Sequence, residues 1–224
     1  MSEAAQILLY GLLAAASPLA LLATLAVLST RRARANGSAF AGGFLLGQSF
    51  ALAIPLLVGS IAIPEGGSNG TISASFELTI GLLLLAAALR LRHPRAPRRA
   101  ARGESRTAAL LARLGRVTPR TAFSIGIPFG IGVKRLMISV LAASTIALGG
   151  EGQAGELGLS VLYVLIASLL VWLPVGVYLV AGTRADDWVS RSKEWLALNQ
   201  RQLTFASTLV LGLLFTVAAL IRLV

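Results

Sequence analysis

Six apolar stretches, each about as long as a membrane-spanning helix, constrain this chain more than any other feature. A helix needs about 20 mostly apolar residues to cross the hydrocarbon core of a bilayer. Only 13% of the 224 residues are charged, whereas a typical soluble domain carries about 25%. The sequence therefore predicts an all-α integral membrane protein with six transmembrane helices, at 5–29, 38–62, 73–91, 121–147, 157–182 and 202–224.

The Lys and Arg residues lie in alternate connections between these stretches. Positive charge is concentrated in RRARANG (31–37), in the loop at 92–120 and in TRADDWVSRSKEWLALNQRQ (183–202). The other two connections contain no Lys or Arg. Cytoplasmic loops are the ones enriched in these residues. We therefore expect a multi-pass protein of the plasma (inner) membrane, with the basic loops in the cytoplasm and both termini outside.

Composition also restricts the partners and the chemistry. Because the net charge of +11 is placed between apolar stretches, we expect anionic lipid headgroups at the basic loops as partners, and no nucleic acid. The chain has no cysteine and a single histidine, His93, which excludes disulfides, thiolate metal sites and multi-His metal sites. No catalytic constellation and no phosphate-binding Gly-rich loop is present. We therefore expect neither enzyme activity nor a cofactor.

The two halves of the chain share an internal similarity. FALAIPLLVGS around Pro55 corresponds to LLVWLPVGVYLVAG around Pro174, and GLLLLAAALRLR corresponds to GLLFTVAALIRLV. We expect two three-helix repeats, at 1–91 and 121–224, joined by the basic cytoplasmic loop at 92–120. Because three spans is an odd number, the second repeat would be inverted in the membrane, as in many secondary transporters.

Gly and Pro residues interrupt the first span of each repeat. In inverted-repeat transporters such interruptions at corresponding positions are the best pointer to a substrate site. The first span contains Ser17-Pro18, where an ordinary proline kink is the alternative interpretation. We expect further helix breaks at Pro55, Gly126, Pro128, Gly130, Gly132 and Pro174.

Lys134 and Arg135 stand side by side in an apolar run, FGIGVKRLMISV. A charge at the bilayer centre costs about 2.5–3.5 kcal/mol on insertion scales. Three interpretations stay open: the side chains snorkel to the interface, they pair with Glu77, or they face a cavity and bind an anionic group of a substrate. Glu77 as an interfacial carboxylate is a further alternative. The candidate substrate-binding residues are Ser17, Pro18, Glu77, Lys134 and Arg135.

Several segments resemble one known family. ASPLALLATLAVLSTRRARANGSAFAGGFLLGQS, with later segments RVTPRTAFSIGI, LIASLLVWLPVGVYLVAG and EWLALNQRQL, is similar to the actinobacterial Gap/Sap-type proteins. These form the glycolipid-addressing branch of the lysine-exporter (LysE) superfamily. The motif residues are Ser17-Pro18, Asn36-Gly37, Ala39-Phe40, Gly42-Gly43 and Gly47. Gly132-Val133-Lys134 stands where the family pattern resembles Asn-Pro-Lys, which leaves the position of that helix break open.

This resemblance implies a membrane transporter that moves or delivers an envelope glycolipid or peptidoglycolipid across the plasma membrane. We expect intramembrane Lys134 and Arg135 to meet the anionic headgroup of this membrane lipid. The alternatives are a small-solute exporter of the LysE type, for an amino acid or an ion, and a non-transporting scaffold for a lipid-synthesis enzyme. A homodimer also stays open, because small residues such as Gly42, Gly43 and Gly47 permit close helix packing within a chain or between chains.

Overall fold

The computed structural model describes residues 2–62, 82, 86, 117–150 and 152–223. Every regular element in this part of the chain is helical, which confirms the predicted all-α class. Glu77, most of the predicted span at 73–91 and most of the loop at 92–120 lie outside the described residues. In chain order the elements are α1 (Glu3–Ala15), α2 (Pro18–Leu28), α3 (Ala33–Ala62), α4 (Pro119–Ile131), α5 (Val133–Leu148), α6 (Gln153–Ala167), α7 (Leu169–Ala181), a 3₁₀ helix η1 (Gly182–Ala185) and α8 (Asp186–Leu223).

Three pairs of consecutive helices bend sharply at a short break. The bends are 61° between α1 and α2, 63° between α4 and α5, and 69° between α6 and α7. Among the described helices, one is long and apolar enough to cross a membrane by itself, at Ala33–Leu57, and the number rises to four if each bent pair is one span. These four coincide with the first, second, fourth and fifth predicted spans. The six-span inverted repeat stays a prediction.

The first break follows from the chemistry of proline. Pro18 is the first residue of α2, a position where its missing N–H costs no helical hydrogen bond. A proline also pushes the preceding residue out of the helical region, and Ser17 is extended, with φ −129° and ψ 96°. α1 therefore ends at Ala15, and Ala16 and Ser17 form the break.

The other two breaks lie at Gly132 and Ser168. Gly132 separates α4 from α5, with φ −32° and ψ 141°. Ser168 separates α6 from α7, with φ −98° and ψ 1°. The first of these positions was among the predicted helix breaks, whereas Ser168 is neither a glycine nor a proline and carried no such signal.

The remaining residues predicted to interrupt helices lie inside helices. α3 continues through Pro55, and α7 includes Pro174. Gly126, Pro128 and Gly130 lie within α4. The described backbone is helical at all five positions, so the bends are produced elsewhere.

Close packing of α3 on α4 explains why glycine occupies positions 126 and 130 within a continuous helix. A Cβ at Gly43 or Gly47 would collide with backbone carbonyls of α4, and a Cβ at Gly126 or Gly130 would collide with backbone carbonyls of α3. Glycines four residues apart share one face of a helix, and small residues at this spacing let two backbones approach closely. Gly126 and Gly130 therefore hold α4 against α3 instead of unwinding it.

The buried apolar side chains form two separate clusters. The α2-side core lies among α2, α4, the N-terminal half of α3, α7 and the start of α8, and it includes Leu25 and Val175. The α1-side core lies among α1, α5, α6 and the C-terminal half of α3, and it includes Ile7, Ile138 and Tyr163. Each bent pair therefore contributes one helix to each core, and the three breaks lie at the boundary between the cores.

Candidate functional site

Lys134 and Arg135 lie in the first turn of α5, directly after the break at Gly132. Lys134 is half-buried, whereas Arg135 is only 3% exposed. Adjacent residues of an α-helix point about 100° apart. The two cations therefore reach different neighbours, although they are consecutive in sequence.

Lys134 reaches the break between α1 and α2. Its Nζ donates a hydrogen bond of 2.6 Å to the carbonyl oxygen of Ala16. The carbonyls at the C-terminal end of a helix lack an intrahelical donor, and that end carries the negative pole of the helix dipole. Pro18 has no N–H to offer. The Lys134 ammonium thus supplies both a donor and a positive charge at this helix end.

Arg135 reaches the break between α6 and α7. Its Nη1 donates to the carbonyl oxygen of Ala167, the last residue of α6, at 2.8 Å. The same nitrogen donates to Oε1 of Gln48 at 3.2 Å. The guanidinium carbon lies 4.6 Å from the centroid of the Phe44 ring, within the range of a cation–π interaction.

A chain of buried polar side chains continues from Arg135. Gln48 Nε2 donates to Oγ of Ser139 at 3.2 Å, and that hydroxyl lies 3.0 Å from the hydroxyl of Tyr163. All three side chains are fully buried. Buried polar groups are stable when they are hydrogen-bonded to one another. The chain of contacts links α3, α5 and α6 across the α1-side core.

Two polar atoms beside this network remain without a partner among the described residues. They are Nη2 of Arg135 and Oγ of Ser168, and both are buried. Ser168 directly follows Ala167, whose carbonyl accepts from Arg135. Spare hydrogen-bonding capacity is therefore concentrated at the break between α6 and α7.

The structure brings together four of the five residues predicted to bind substrate. Ser17 and Pro18 are half-buried and directly follow Ala16, the residue that Lys134 contacts. Arg135 lies beside Lys134, and the fifth residue, Glu77, is outside the described part of the chain. In the described residues Arg135 lies inside the helix bundle and does not extend to its surface.

Sequence reasoning did not pair the two cations with their partners. Ala16 and Ala167 act through their backbone carbonyls, which no sequence pattern reports. Gln48, Ser139 and Tyr163 are polar residues within apolar helices, and this was the signal available for them. Within the described residues, no group of His, Asp or Glu side chains is arranged to hold a metal ion.

Comparison with known proteins identifies one family. A family model described as "Sap, sulfolipid-1-addressing protein" matches residues 7–220. The match covers the three breaks, both cations and their partners. Searches of curated proteins and of solved structures returned no match.

Proposed function

The chain belongs to the family of sulfolipid-1-addressing proteins, and on that premise we propose that it delivers an anionic envelope lipid across the plasma membrane. The headgroup would be bound inside the helix bundle by Lys134 and Arg135. The wider relationship to lysine exporters remains part of this proposal. So does the arrangement of six spans with cytoplasmic basic loops and both termini outside.

One observation carries the proposal: two adjacent cations lie at the meeting point of three helix breaks without an acidic partner among the described residues. Their contacts are the carbonyls of Ala16 and Ala167, the amide of Gln48 and the ring of Phe44. A buried charge is stabilised when it is paired with an opposite charge. Carbonyls supply only partial negative charge, so an anion is the partner that this site lacks.

The depth of the breaks agrees with a substrate site. α2 has 11 residues, which span about 16 Å at 1.5 Å per residue. This length is about half of the 30 Å hydrocarbon core of a bilayer. If the basic connection after α2 lies at the cytoplasmic surface, then Ala16 and Lys134 lie near the midplane. Substrate sites of inverted-repeat transporters lie at that depth, between broken helices.

The geometry also suggests how a headgroup would enter. A Lys ammonium has three N–H donors, and the described contacts of Lys134 use one of them. A sulfate or phosphate oxygen binds to the free donors and then replaces the Ala16 carbonyl. Arg135 contributes Nη2, which has no described partner. Displacement of the Ala16 carbonyl breaks the hydrogen bond that joins α5 to the break between α1 and α2, and so loosens the packing around that break.

Two features support the inverted repeat within this proposal. The first spans of both repeats are broken, at bends of 61° and 63°. In addition, α4 packs on α3, and α1 packs on α6. These two contacts are equivalent if residues 1–91 correspond to 121–224, because each joins the first half of a broken span to the second span of the other repeat.

The proposal is tested with a sulfated lipid and its neutral parent. The protein would be placed in phosphatidylcholine nanodiscs that contain sulfatide, a galactosylceramide sulfate ester, or galactosylceramide itself. We expect wild type to bind sulfatide selectively and Lys134→Ala to weaken that binding about tenfold, the usual effect of losing a charge-assisted hydrogen bond. Arg120→Ala, which removes an exposed cation at the start of α4, is the matched control.

A second assay separates delivery from binding. Fluorescent sulfatide in proteoliposomes is exposed to a membrane-impermeant quencher, which reports movement between leaflets. We expect wild type to accelerate this movement and Lys134→Ala to abolish the acceleration. Selective binding without movement would favour the scaffold alternative. Equal binding of sulfatide and galactosylceramide would contradict recognition of the anionic headgroup and would favour the small-solute exporter alternative.

A further inference from the structure

Four arginines line a separate cavity at the far end of α2 from Lys134. The cavity has a volume of about 650 Å³ and is bounded by the connection between α2 and α3 and by the end of α7. We call it the arginine cavity, and its cationic residues are Arg31, Arg32, Arg34 and Arg184. Because Arg184 is far from the other three in sequence, the fold itself gathers the four charges.

The guanidinium groups of this cavity are available for a ligand. All four arginines are exposed, and no ion pair or hydrogen bond joins their side chains to another described residue. The first turn of α8, which follows Arg184, contains two carboxylates, Asp186 and Asp187. Asp186 accepts a hydrogen bond of 2.8 Å from the hydroxyl of Tyr178, another lining residue. Four arginines against these two carboxylates leave a positive excess.

The residue type indicates the class of ligand. A guanidinium presents a planar fork of N–H donors that matches the oxygens of a sulfate or phosphate group in a bidentate manner. The cavity is also lined by Ala33, Arg34 and Ala35, which form the first turn of α3, and the first turn of a helix carries partial positive charge. The chemistry therefore favours a compact oxyanion.

A separate apolar groove, lined by residues close in sequence to those of the cavity, supports a lipid as the source of the oxyanion. The groove has a volume of about 400 Å³ and lies between α2 and the start of α8. It is lined by Leu21, Leu25, Trp188, Trp195 and Leu196, with Arg191 and Ser192. Trp188 follows Arg184 by one helical turn, and Trp side chains favour the membrane–water interface. A cationic cavity and an apolar groove that follow one another along the chain, at Arg184 and Trp188, fit the two parts of an amphiphile.

We propose that the arginine cavity binds the sulfate or phosphate headgroup of an anionic membrane lipid at the cytoplasmic surface, before the headgroup reaches Lys134. The order in which the lipid visits the two sites rests on the proposed function, whereas binding at the arginine cavity does not. The two sites are separated by the length of α2, about 16 Å. The molecule thus has a surface site and a deeper site along one helix.

The absence of cysteine from the chain allows a site-specific test. Ala35 is exposed and lines the cavity, so A35C introduces a single thiol whose reaction with a neutral maleimide reports occupancy. We expect sulfatide in phosphatidylcholine nanodiscs to slow this reaction about tenfold relative to galactosylceramide, in keeping with a charge-assisted contact. The ratio of rates with and without sulfatide is compared within each variant.

Matched pairs of substitutions locate the effect. R34Q/R184Q and R31Q/R32Q each remove two positive charges from the cavity, and both are expected to abolish the protection by sulfatide. R120Q/K193Q removes two positive charges outside the cavity, and it is expected to keep the protection. The two cavity pairs guard against one of them failing to fold. Protection that survives both would overturn the inference, as would its loss in R120Q/K193Q.

Two further measurements complete the test. One distinguishes the arginine cavity from the deeper site, and the other distinguishes a lipid from a soluble anion. K134A is expected to keep the protection, so failure at the deeper site and failure at the arginine cavity give different results. Sodium sulfate added to discs without sulfatide is expected to protect weakly. Equal protection by sulfate would overturn the assignment to a lipid and indicate a soluble anion instead.

Discussion

The breaks at Ala16 and at Ala167 share one kind of contact with α5 but differ in burial and in the number of other contacts. In each, a cation from α5 donates to a helix-terminal carbonyl. Arg135 is 3% exposed, contacts a second acceptor and a ring, and lies beside a fully buried polar chain. Lys134 is half-buried and has the one described contact. The comparison indicates that the Arg135 contact fixes the bundle, whereas the Lys134 contact can be exchanged for a ligand.

The largest expected effect on stability is that of Arg135→Ala. The substitution leaves the Ala167 carbonyl and the Gln48 amide oxygen buried without their donor, at about 1–3 kcal/mol for each orphaned group. A loss of about 3 kcal/mol lowers the unfolding temperature by about 6–12 °C. Thermal unfolding in a mild detergent measures it, with Arg120→Ala as the control. Equal unfolding temperatures for the two variants would contradict a fixing role for Arg135.

An intermediate effect is expected for Gln48→Leu, which makes the environment of Arg135 more like that of Lys134. The substitution keeps the side-chain volume but removes one acceptor of the guanidinium and the donor to Ser139. We expect a loss of about 1–2 kcal/mol. Ser49→Ala is the control, because the Ser49 hydroxyl is exposed and bonds only within its own helix, to Leu45. Equal unfolding temperatures for Gln48→Leu and Ser49→Ala would contradict the stabilising role assigned to the contacts of Arg135.

The smallest effect on stability is expected for Lys134→Ala, the variant for which we expect weaker lipid binding. Ala16 and Lys134 are both half-buried, so we expect water or a lipid headgroup to replace the ammonium. We expect a loss of no more than about 1 kcal/mol, measured by the same thermal unfolding. Destabilisation as large as that of Arg135→Ala would show that both breaks are structural, and would remove the distinction drawn between them.

Local chemistry accounts for what the sequence could predict. The break before Pro18 depends on the missing N–H of proline and on the restriction it places on Ser17, which are properties of two adjacent residues. The all-α class follows from long apolar stretches, as do the span at Ala33–Leu57 and, if each bent pair is one span, three more. The family was also recognisable from motifs spread along the chain, and the family model confirms it.

Contacts between distant residues account for what the sequence could not predict. Gly126 and Gly130 have the same residue type as Gly132, but they lie against the backbone of α3 and stay helical. Glycine permits both unwinding and close packing, and only the facing helix decides between them. Ser168 becomes a break without any local signal. The acceptor of Lys134 is 118 residues away along the chain.

The bond between Lys134 and Ala16 has a consequence for biosynthesis. Ala16 is translated long before Lys134, so its carbonyl cannot form this bond until α5 has been made. Until then water or a lipid headgroup can bind the carbonyl, as is expected for the Lys134→Ala variant. The break between α1 and α2 therefore receives this contact late in synthesis, and the bond links the two halves of the chain at that step. A polypeptide that stops before α5 would lack this link.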